Sequence, residues 1–562
     1  MILEHINQIP VIAAAHGVTR AILSPGSRVA PLTLAFTRYK KINCYTLSDE
    51  RSAAFTAMGM SEATNEPVVI ACTSGTAASN YIPAVTEAYY KNIPLVILTA
   101  DRPPEWIDQW DGQTIRQKDL YSNHIKRSFE LPVDVSHPDA QWQVNRILNE
   151  AFIEAKKTPS GPVHINIPLR EPFYPGTGET YHFQEESTHI IKPVESKSNI
   201  EKSILSELEK EYEKAEKILI LAGQSDYDNT IYKHLSKWAA DRNIPVIADI
   251  ISNTFNCDTA ITKGDIFLKN ITEEEKQSLV PDLIISFGKS TISKNMKLFL
   301  RDNAIKSDHW HIGITDYISD PFKNLTRVIR ADIESFISST EEWEIKDRSY
   351  LKQWTEKEIE ADHKIDSLKP NPEKPLNELV VTKEVITNLP DNSNLHLANS
   401  MPVRWANFIS GKGKNIKIYA NRGTSGIDGT ISTASGHALA NKKKFNLVLT
   451  GDLSFFYDRN ALWHNYTNEN FCIVMMNNHG GGIFGLIAGP SDQPEKEEWF
   501  ETRQKLTAKN TASDFGFNYI SCNNIEDLES ALESIRNSKG NTIIEIFTDK
   551  DENKKVFQHL RK

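Results

Sequence analysis

Short apolar runs rich in β-branched residues recur along this chain, each followed by a stretch with helical periodicity. Ala21–Leu23, Val68–Cys72, Leu95–Thr99 and Val163–Ile167 are the runs of the first third. Strands without a polar face must be covered on both sides, and strands separated by helices pair in parallel. The pattern returns twice. Lys217–Ala222, Pro245–Asp249 and Asp282–Phe287 mark a second unit, and Leu395–Ala398, Ile416–Ala420, Leu447–Thr450, Cys472–Met476 and Thr542–Phe547 a third. A chain of 562 residues is also too long for one core. The expectation is an α/β protein of three domains, each a parallel sheet flanked by helices, over residues 1–185, 186–365 and 366–562. Pro- and Gly-rich sequence at 171–178 marks the first exit. The charged stretch 341–375 closes on Lys369-Pro370-Asn371-Pro372-Glu373-Lys374-Pro375, which predicts a linker there. The first and last units look alike in pattern.

Charge and composition remove several classes of function. The net charge is −10 and no basic patch stands out, so no nucleic acid partner is expected. No apolar stretch approaches membrane-spanning length, so no membrane partner is expected either. The N-terminus has an early acid, Glu4, then Pro10, and no basic lead, which does not read as a signal peptide. Cys44, Cys72, Cys257, Cys472 and Cys522 are dispersed and form no CxxC, as expected of free thiols in a reducing cytoplasm.

Two strand ends carry the strongest chemical signal. Gly451-Asp452-Leu453-Ser454 follows the run Leu447–Thr450, and Asn477-Asn478 follows Phe471–Met476, with His479 and three glycines after it. Ligands of open parallel sheets bind beyond the carboxyl ends of the strands. The Asp452 carboxylate, the Asn478 amide oxygen and the Gly480 carbonyl are hard oxygen donors, which suits magnesium held against a diphosphate. Ser454 adds a hydroxyl toward the phosphates. Taken singly, each dipeptide is a common turn. The pair, each after a strand, is far more specific.

This region resembles the thiamine-diphosphate-dependent enzyme superfamily, whose signature is GDG, a spacer, then NN. Leu453 replaces the last Gly, and the spacer from Ser454 to Met476 is slightly short. The resemblance implies thiamine diphosphate as cofactor, with Mg2+ or Mn2+, in the fold of those enzymes. It also implies a glutamate at the end of an early strand, which drives the aminopyrimidine to its imino tautomer. The strand Ile42–Leu47 is followed by Ser48-Asp49-Glu50, so Glu50 is the match. The plain reading of Glu50 is a first-turn helix acid behind an Asp49 or Ser48 cap. Ser74-Gly75 and Asp101-Arg102 stand at further strand ends of the same sheet, which favours a site.

Several segments go further. Ser24-Pro25-Gly26-Ser27-Arg28, Asp49-Glu50-Arg51-Ser52, Thr99-Ala100-Asp101-Arg102-Pro103-Pro104 and Gly112-Gln113-Thr114-Ile115-Arg116-Gln117 lie in the first third. Asn399-Ser400 with Arg404, Asn421-Arg422-Gly423-Thr424-Ser425-Gly426-Ile427-Asp428-Gly429, and Leu453 lie in the last. Together they are similar to the 2-succinyl-5-enolpyruvyl-6-hydroxy-3-cyclohexene-1-carboxylate synthase family of menaquinone biosynthesis. The resemblance implies decarboxylation of 2-oxoglutarate and conjugate addition of the remaining fragment to isochorismate. Both substrates are carboxylates, and guanidinium groups bind carboxylates in bidentate fashion. It therefore implies substrate contacts from Arg28, Arg102, Arg404 and Arg422, and hydrogen bonds from Ser27, Gln113 and Ser400. Lys294 matches more loosely, and Phe484 and Ile487 would form an apolar wall. Ile427 matches the residue that props the cofactor in its bent form, and an ordinary core isoleucine is the other reading. An isolated arginine is usually a solvated charge. Placement in Gly/Ser-rich turns after strands singles out Arg28 and Arg422. His479 has two readings, a general base or a turn cap, and the family's cofactor-borne chemistry favours the cap.

In this superfamily the glutamate-bearing domain of one subunit meets the diphosphate-bearing domain of another, so the resemblance implies a homodimer or homotetramer. Another 2-oxo acid decarboxylase or an acetohydroxyacid-synthase-like enzyme is the nearest alternative, and the arginine-rich motifs count against small monocarboxylate substrates. A non-catalytic nucleotide- or cofactor-binding protein is the other. No GxGxxG follows a strand and no P-loop lysine is present, whereas Glu50, Asp452 and Asn478 are all retained.

Overall fold

The structure is a computed structural model that describes residues 3–194, 200–225, 229–466 and 469–561. Met1 and Ile2 of the N-terminal reading lie outside the described residues.

Three sheets of six strands each organise the chain. The first holds β1 (Arg20–Leu23), β2 (Asn43–Thr46), β3 (Val68–Cys72), β4 (Leu95–Asp101), β5 (Arg127–Glu130) and β6 (Val163–Pro168). The second holds β7 (Ile218–Ala222), β8 (Val246–Ala248), β9 (Ala260–Ile261), β10 (Leu283–Phe287), β11 (Asp308–Ile312) and β12 (Leu325–Ile329). The third holds β13 (Asn394–Leu397), β14 (Lys417–Tyr419), β15 (Asn446–Gly451), β16 (Phe471–Asn477), β17 (Asn518–Cys522) and β18 (Thr542–Phe547). Every ladder is parallel, as the uninterrupted apolar runs require.

The first sheet runs β2-β1-β3-β4-β6-β5 and the third β14-β13-β15-β16-β18-β17. These are one topology used twice, which is the likeness seen between the end units. The middle sheet differs: the chain starts at β7, runs out through β8 and β9, then returns to β10 and runs out through β11 and β12.

The central strands β3, β4, β6 and β16 are buried at every residue. Five strands, β5, β9, β11, β12 and β17, are absent from the sequence reading. β5 and β17 are half-exposed edges with charged or polar residues such as Arg127, Glu130 and Asn518. β11 carries Asp308, His309 and His311, and β9 is only a two-residue stub. None of these makes an apolar run.

Most of the charged stretch 341–375 is helix rather than linker. Arg348–Asp366 is helical, capped by Asp347, and buries Tyr350, Trp354, Ala361 and Ile365 along one stripe. Residues 369–375 are exposed and carry neither helix nor strand. The second and third units share one continuous core, with Leu219, Ile284 and Phe255 on one side and Leu395, Leu447 and Val474 on the other.

The first and third units meet through two helices. Glu50–Thr64 starts at Asp49, whose carboxylate accepts from the Ser52 N–H at 3.1 Å, and ends at Asn65 in the left-handed region. It packs against Thr430–Ala440, and Glu62 reaches across to His437 Nε2 at 3.1 Å.

Candidate active site

The carboxyl ends of β15 and β16 lie side by side, with Gly451 paired to Met476. Asp452 and Asn478 therefore leave the sheet next to each other. They line one cavity of about 190 Å3 together with Gly451, Leu453, Ser454 and Gly480. Ile427, Ser400 and Phe484 line it too. Asp452 is 2% exposed, and its Oδ1 accepts from the Leu453 N–H while Oδ2 accepts from Gln504 Nε2 at 2.7 Å. Burial pushes its carboxyl up, against those hydrogen bonds. Ser454 turns its hydroxyl onto the Ile427 carbonyl at 2.6 Å, which ties the Ile427 loop to the helix after β15.

Asn478 donates its Nδ2 to Glu378 Oε1 at 2.6 Å, and its Oδ1 is buried with no partner among the described residues. Glu378 is 3% exposed, and burial raises its carboxyl, with Asp452 adding to the rise. Two buried carboxylates and an amide oxygen without a partner among the described residues thus converge on one cavity. An unpaired buried acceptor beside anionic charge costs free energy unless a cation takes it. That donor set of hard oxygens fits a divalent cation and the diphosphate it would carry.

Arg404 and Arg422 stand beside this cavity. Arg404 donates to the Ser400 carbonyl, one turn back on the helix Met401–Ile409. Arg422 donates from Nη1 to Asn399 Oδ1 at 2.9 Å, and its Nε is buried without an acceptor. Burial lowers the pKa of both guanidiniums, and for Arg422 the neighbouring Arg404 lowers it further. The Asp265 carboxylate offsets part of this for Arg404, and the Asp249 and Glu87 carboxylates do so for Arg422. Ser400 itself adopts φ 74°, a strained conformation that marks functional turns. Lys294 opens the helix Lys294–Asn303 and is exposed. The lysine beside Arg422 is Lys297, one turn on, in a second cavity of about 340 Å3. Ile487 is 36% exposed and is not in the lining of the smaller cavity.

The remaining candidates gather at the carboxyl ends of the first sheet. Arg102 donates to Ser74 Oγ at 3.2 Å, to Asp111 at 2.6 Å and to the Gly112 carbonyl at 2.6 Å. Arg28 lies over the Phe173 ring at 4.9 Å, donates to the Leu169 carbonyl and keeps its Nε buried without a partner. Burial and then the nearby Arg102 charge lower its pKa. Gly75 packs against the Gln113 backbone, and both Ser27 and Gln113 are exposed. Glu50 receives Asn80 Nδ2 at 3.4 Å. Neither Glu50 nor Arg28 or Arg102 lines the cavity of Asp452 and Asn478. The candidates thus fall into two groups, one at each sheet, each with a buried guanidinium nitrogen that has no acceptor among the described residues.

His479 has φ 61°, donates its backbone N–H to Asn477 Oδ1 at 3.0 Å and sets its ring 5.8 Å from Phe547. It forms the turn after β16. Glu87 and Gln504 escaped the sequence reading, and Asn399 entered it only inside a motif, without a role. Asn399 donates to the carbonyls of Asn421 and Gly426 and so shapes the Arg422 loop. Glu87 accepts from the Gly423 and Thr424 N–H groups. Gln504 braces Asp452. Each is an ordinary polar residue whose partner lies far away in sequence, so no local signal exposes it.

Three family models match the chain. The thiamine pyrophosphate enzyme N-terminal TPP binding domain matches residues 9–120, the middle domain of thiamine pyrophosphate enzymes 191–397, and the C-terminal TPP binding domain 402–546. A 2-succinyl-5-enolpyruvyl-6-hydroxy-3-cyclohexene-1-carboxylate synthase of Cytophaga hutchinsonii is 42% identical, over 100% of this chain and 99% of that one. The chain belongs to this synthase family of thiamine pyrophosphate enzymes. The synthase of Bacteroides fragilis is 33% identical over 99% of this chain and 98% of its own, and that of Flavobacterium psychrophilum 36% over 96% and 94%. Benzoylformate decarboxylase from Polynucleobacter necessarius superposes with a TM-score of 0.73 at 16% identity, over 97% of this chain and 98% of that one. That likeness shows the fold alone, and it is the three-sheet fold of the thiamine enzymes.

Proposed function

We propose that the chain decarboxylates 2-oxoglutarate and adds the remaining succinyl semialdehyde unit to isochorismate, forming 2-succinyl-5-enolpyruvyl-6-hydroxy-3-cyclohexene-1-carboxylate for menaquinone biosynthesis. The observation that carries this reading is that two buried guanidiniums, Arg404 and Arg422, are hydrogen-bonded to Ser400 and Asn399 in the lining of the Asp452 and Asn478 cavity, in a chain with full-length synthase relatives. Buried guanidiniums held against a cofactor pocket suit dicarboxylate substrates and are wasted on a small monocarboxylate.

Asp452, Asn478 and the Gly480 carbonyl would hold Mg2+ or Mn2+, and Gly451, Leu453 and Ser454 would contact the diphosphate. Bound there, thiamine diphosphate supplies the nucleophile and electron sink that decarboxylation needs. Ile427 would hold it in its bent form, and Phe484 would supply apolar wall to the cavity. Arg404, Arg422 and Ser400 orient carboxylates from one half-site, and Ser27, Arg28, Arg102 and Gln113 from the other, with Ser74 and Gly75 facing the aminopyrimidine. The Glu50 carboxylate would stand beside the aminopyrimidine nitrogen and favour the imino tautomer. Lys294 and Ile487, which line neither cavity, are weaker candidates.

Because Glu50 lies in the other half-site, we assign the working unit to a homodimer, or a tetramer built from it, in which one subunit's first unit closes on its partner's third. The divisions 1–185, 186–365 and 366–562 remain our proposed domains. Five free cysteines suit a reducing cytoplasm.

The test is carbon dioxide release from 2-oxoglutarate with thiamine diphosphate and Mg2+, with and without isochorismate. Release coupled to loss of isochorismate, abolished by Glu50→Gln, supports the synthase. Release that ignores isochorismate makes the protein a simple decarboxylase.

A further inference from the structure

Glu378 belongs to no motif, opens the helix Glu378–Asn388 and is almost fully buried. Its carboxylate meets three donors. Oε1 accepts from Asn478 Nδ2 at 2.6 Å and from Thr548 Oγ1 at 3.4 Å, and Oε2 accepts from Trp405 Nε1 at 2.6 Å. Its backbone N–H is fixed in turn by Asn553 Oδ1 at 2.8 Å. Trp405 is fully buried on the helix that also carries Arg404, so the carboxylate is pinned from both sides.

An asparagine amide can present either its oxygen or its nitrogen to a neighbour, and the two faces differ little in shape. A carboxylate accepts only. Glu378 therefore forces Asn478 to turn Nδ2 inward and leaves Oδ1 facing the cavity, where it stands without a partner. Gly482 packs against the same Nδ2 end and leaves it room, since a Cβ there would stand 2.9 Å from Asn478 Nδ2. We infer that Glu378 is a positioning residue that sets the amide orientation of Asn478 and thereby makes Oδ1 available to a divalent cation. The inference deepens the proposed function and rests on its assignment of the cation to Asp452 and Asn478.

The orientation argument predicts a reciprocal pattern. In Glu378→Gln the new amide offers one acceptor and one donor. Trp405 Nε1–H can only donate, so it claims the oxygen, and the new NH2 group faces Asn478. Two donors cannot share that contact, so Asn478 rotates and points Nδ2, which carries no lone pair, at the cation site. In Asn478→Asp, with Glu378 unchanged, two carboxylates face each other across the same short contact. With both substitutions the donor and acceptor are exchanged: the glutamine NH2 donates to one oxygen of the new carboxylate, and the second oxygen faces the cation.

The experiment is a calorimetric titration of the full-length protein with thiamine diphosphate at fixed Mg2+, alongside thermal unfolding of the cofactor-free chain. Each single variant should bind the cofactor about 10- to 100-fold more weakly, the usual cost of losing a residue that orients a metal ligand. The double variant should recover to within about tenfold of the wild type, which a general loss of packing would not allow. Wild-type affinity in Glu378→Gln, or a double variant no better than the singles, overturns the inference. If Glu378→Gln does not fold, Asn478→Asp alone decides: undiminished binding overturns the role of Glu378, and loss despite a more anionic ligand supports it. A wild-type protein that takes up no cofactor with Mg2+ overturns the cavity assignment instead.

Discussion

Gly59 lies so close to Thr433 that a Cβ built on it would stand 1.9 Å from the Thr433 carbonyl oxygen. Gly436 makes the reciprocal approach, with the Thr56 carbonyl oxygen 2.0 Å from its virtual Cβ. The two helices that join the first and third units touch backbone to backbone. Gly59→Ala should force them apart and destabilise the chain by about 2–3 kcal/mol or more, as overpacking does. The measurement is the urea midpoint, with Ala63→Gly, at a partly exposed position of the same helix, as a control for backbone entropy.

The same junction buries an ion pair. Glu62 lies against Lys91 at 2.5 Å and His437 at 3.1 Å, with Glu62 10% and Lys91 5% exposed. Burial pushes the Glu62 carboxyl up, but the Lys91 ammonium and the His437 ring outweigh it and hold it below the usual range. Lys91→Met leaves that carboxylate short of its main partner and should cost about 3–5 kcal/mol at neutral pH. The loss should shrink as pH falls below about 4, where the carboxyl of the unfolded chain takes up its proton. A variant with no pH dependence in its deficit would contradict this.

Asp458 shows the opposite sign. It accepts from the Ser432 N–H at 2.8 Å and the Ser432 hydroxyl at 2.7 Å, yet full burial raises its carboxyl from 3.8 to about 6. The folded chain thus keeps this proton to higher pH than the unfolded one. Its contribution is fully present below about pH 4 and declines by about 3 kcal/mol as pH rises through 6. Asp458→Asn should flatten the stability profile over that window, read from denaturation midpoints at several pH values.

If one active centre draws Glu50 from one subunit and Asp452 from its partner, two dead variants should rescue each other. Glu50→Gln and Asp452→Ala, each inactive alone, would give mixed dimers with one intact centre. Random pairing should restore about a quarter of wild-type activity. Failure to exceed the sum of the two parents would place both residues in one chain's own site.

Arg422 offers a buried Nε with no acceptor and a second nitrogen already committed to Asn399. Arg422→Lys keeps the charge but loses the planar fork, and should lower kcat/KM by about 10- to 100-fold, the worth of one charge-assisted hydrogen bond. Steady-state kinetics with each substrate varied in turn would show which carboxylate it holds. An unchanged kcat/KM for both would remove Arg422 from the substrate site.

The strand ends were legible because their meaning is local. Asp452 follows its own strand directly, Asn478 follows the next, and a parallel sheet puts both carboxyl ends on one edge whatever else happens. The buried centre of each sheet was legible for the same reason, since apolar runs such as Val68–Cys72 allow no other fate. The half-exposed strands β5 and β17 were not, because an edge needs no apolar face. The helix Arg348–Asp366 hid inside a charged stretch, because its buried stripe is only Tyr350, Trp354, Ala361 and Ile365.

By itself, then, the sequence determined three parallel α/β units, the strand-end positions of Asp452 and Asn478 and the arginine motifs, all set by near neighbours along the chain. Only the tertiary structure decided that Glu378 orients Asn478 across 100 positions, that Asn399 and Glu87 shape the Arg422 loop, and that Glu50 stands apart from the Asp452 cavity. Those facts depend on which hydrogen-bond donor meets which acceptor once distant segments pack, and a buried polar atom finds its partner by position in space rather than along the chain.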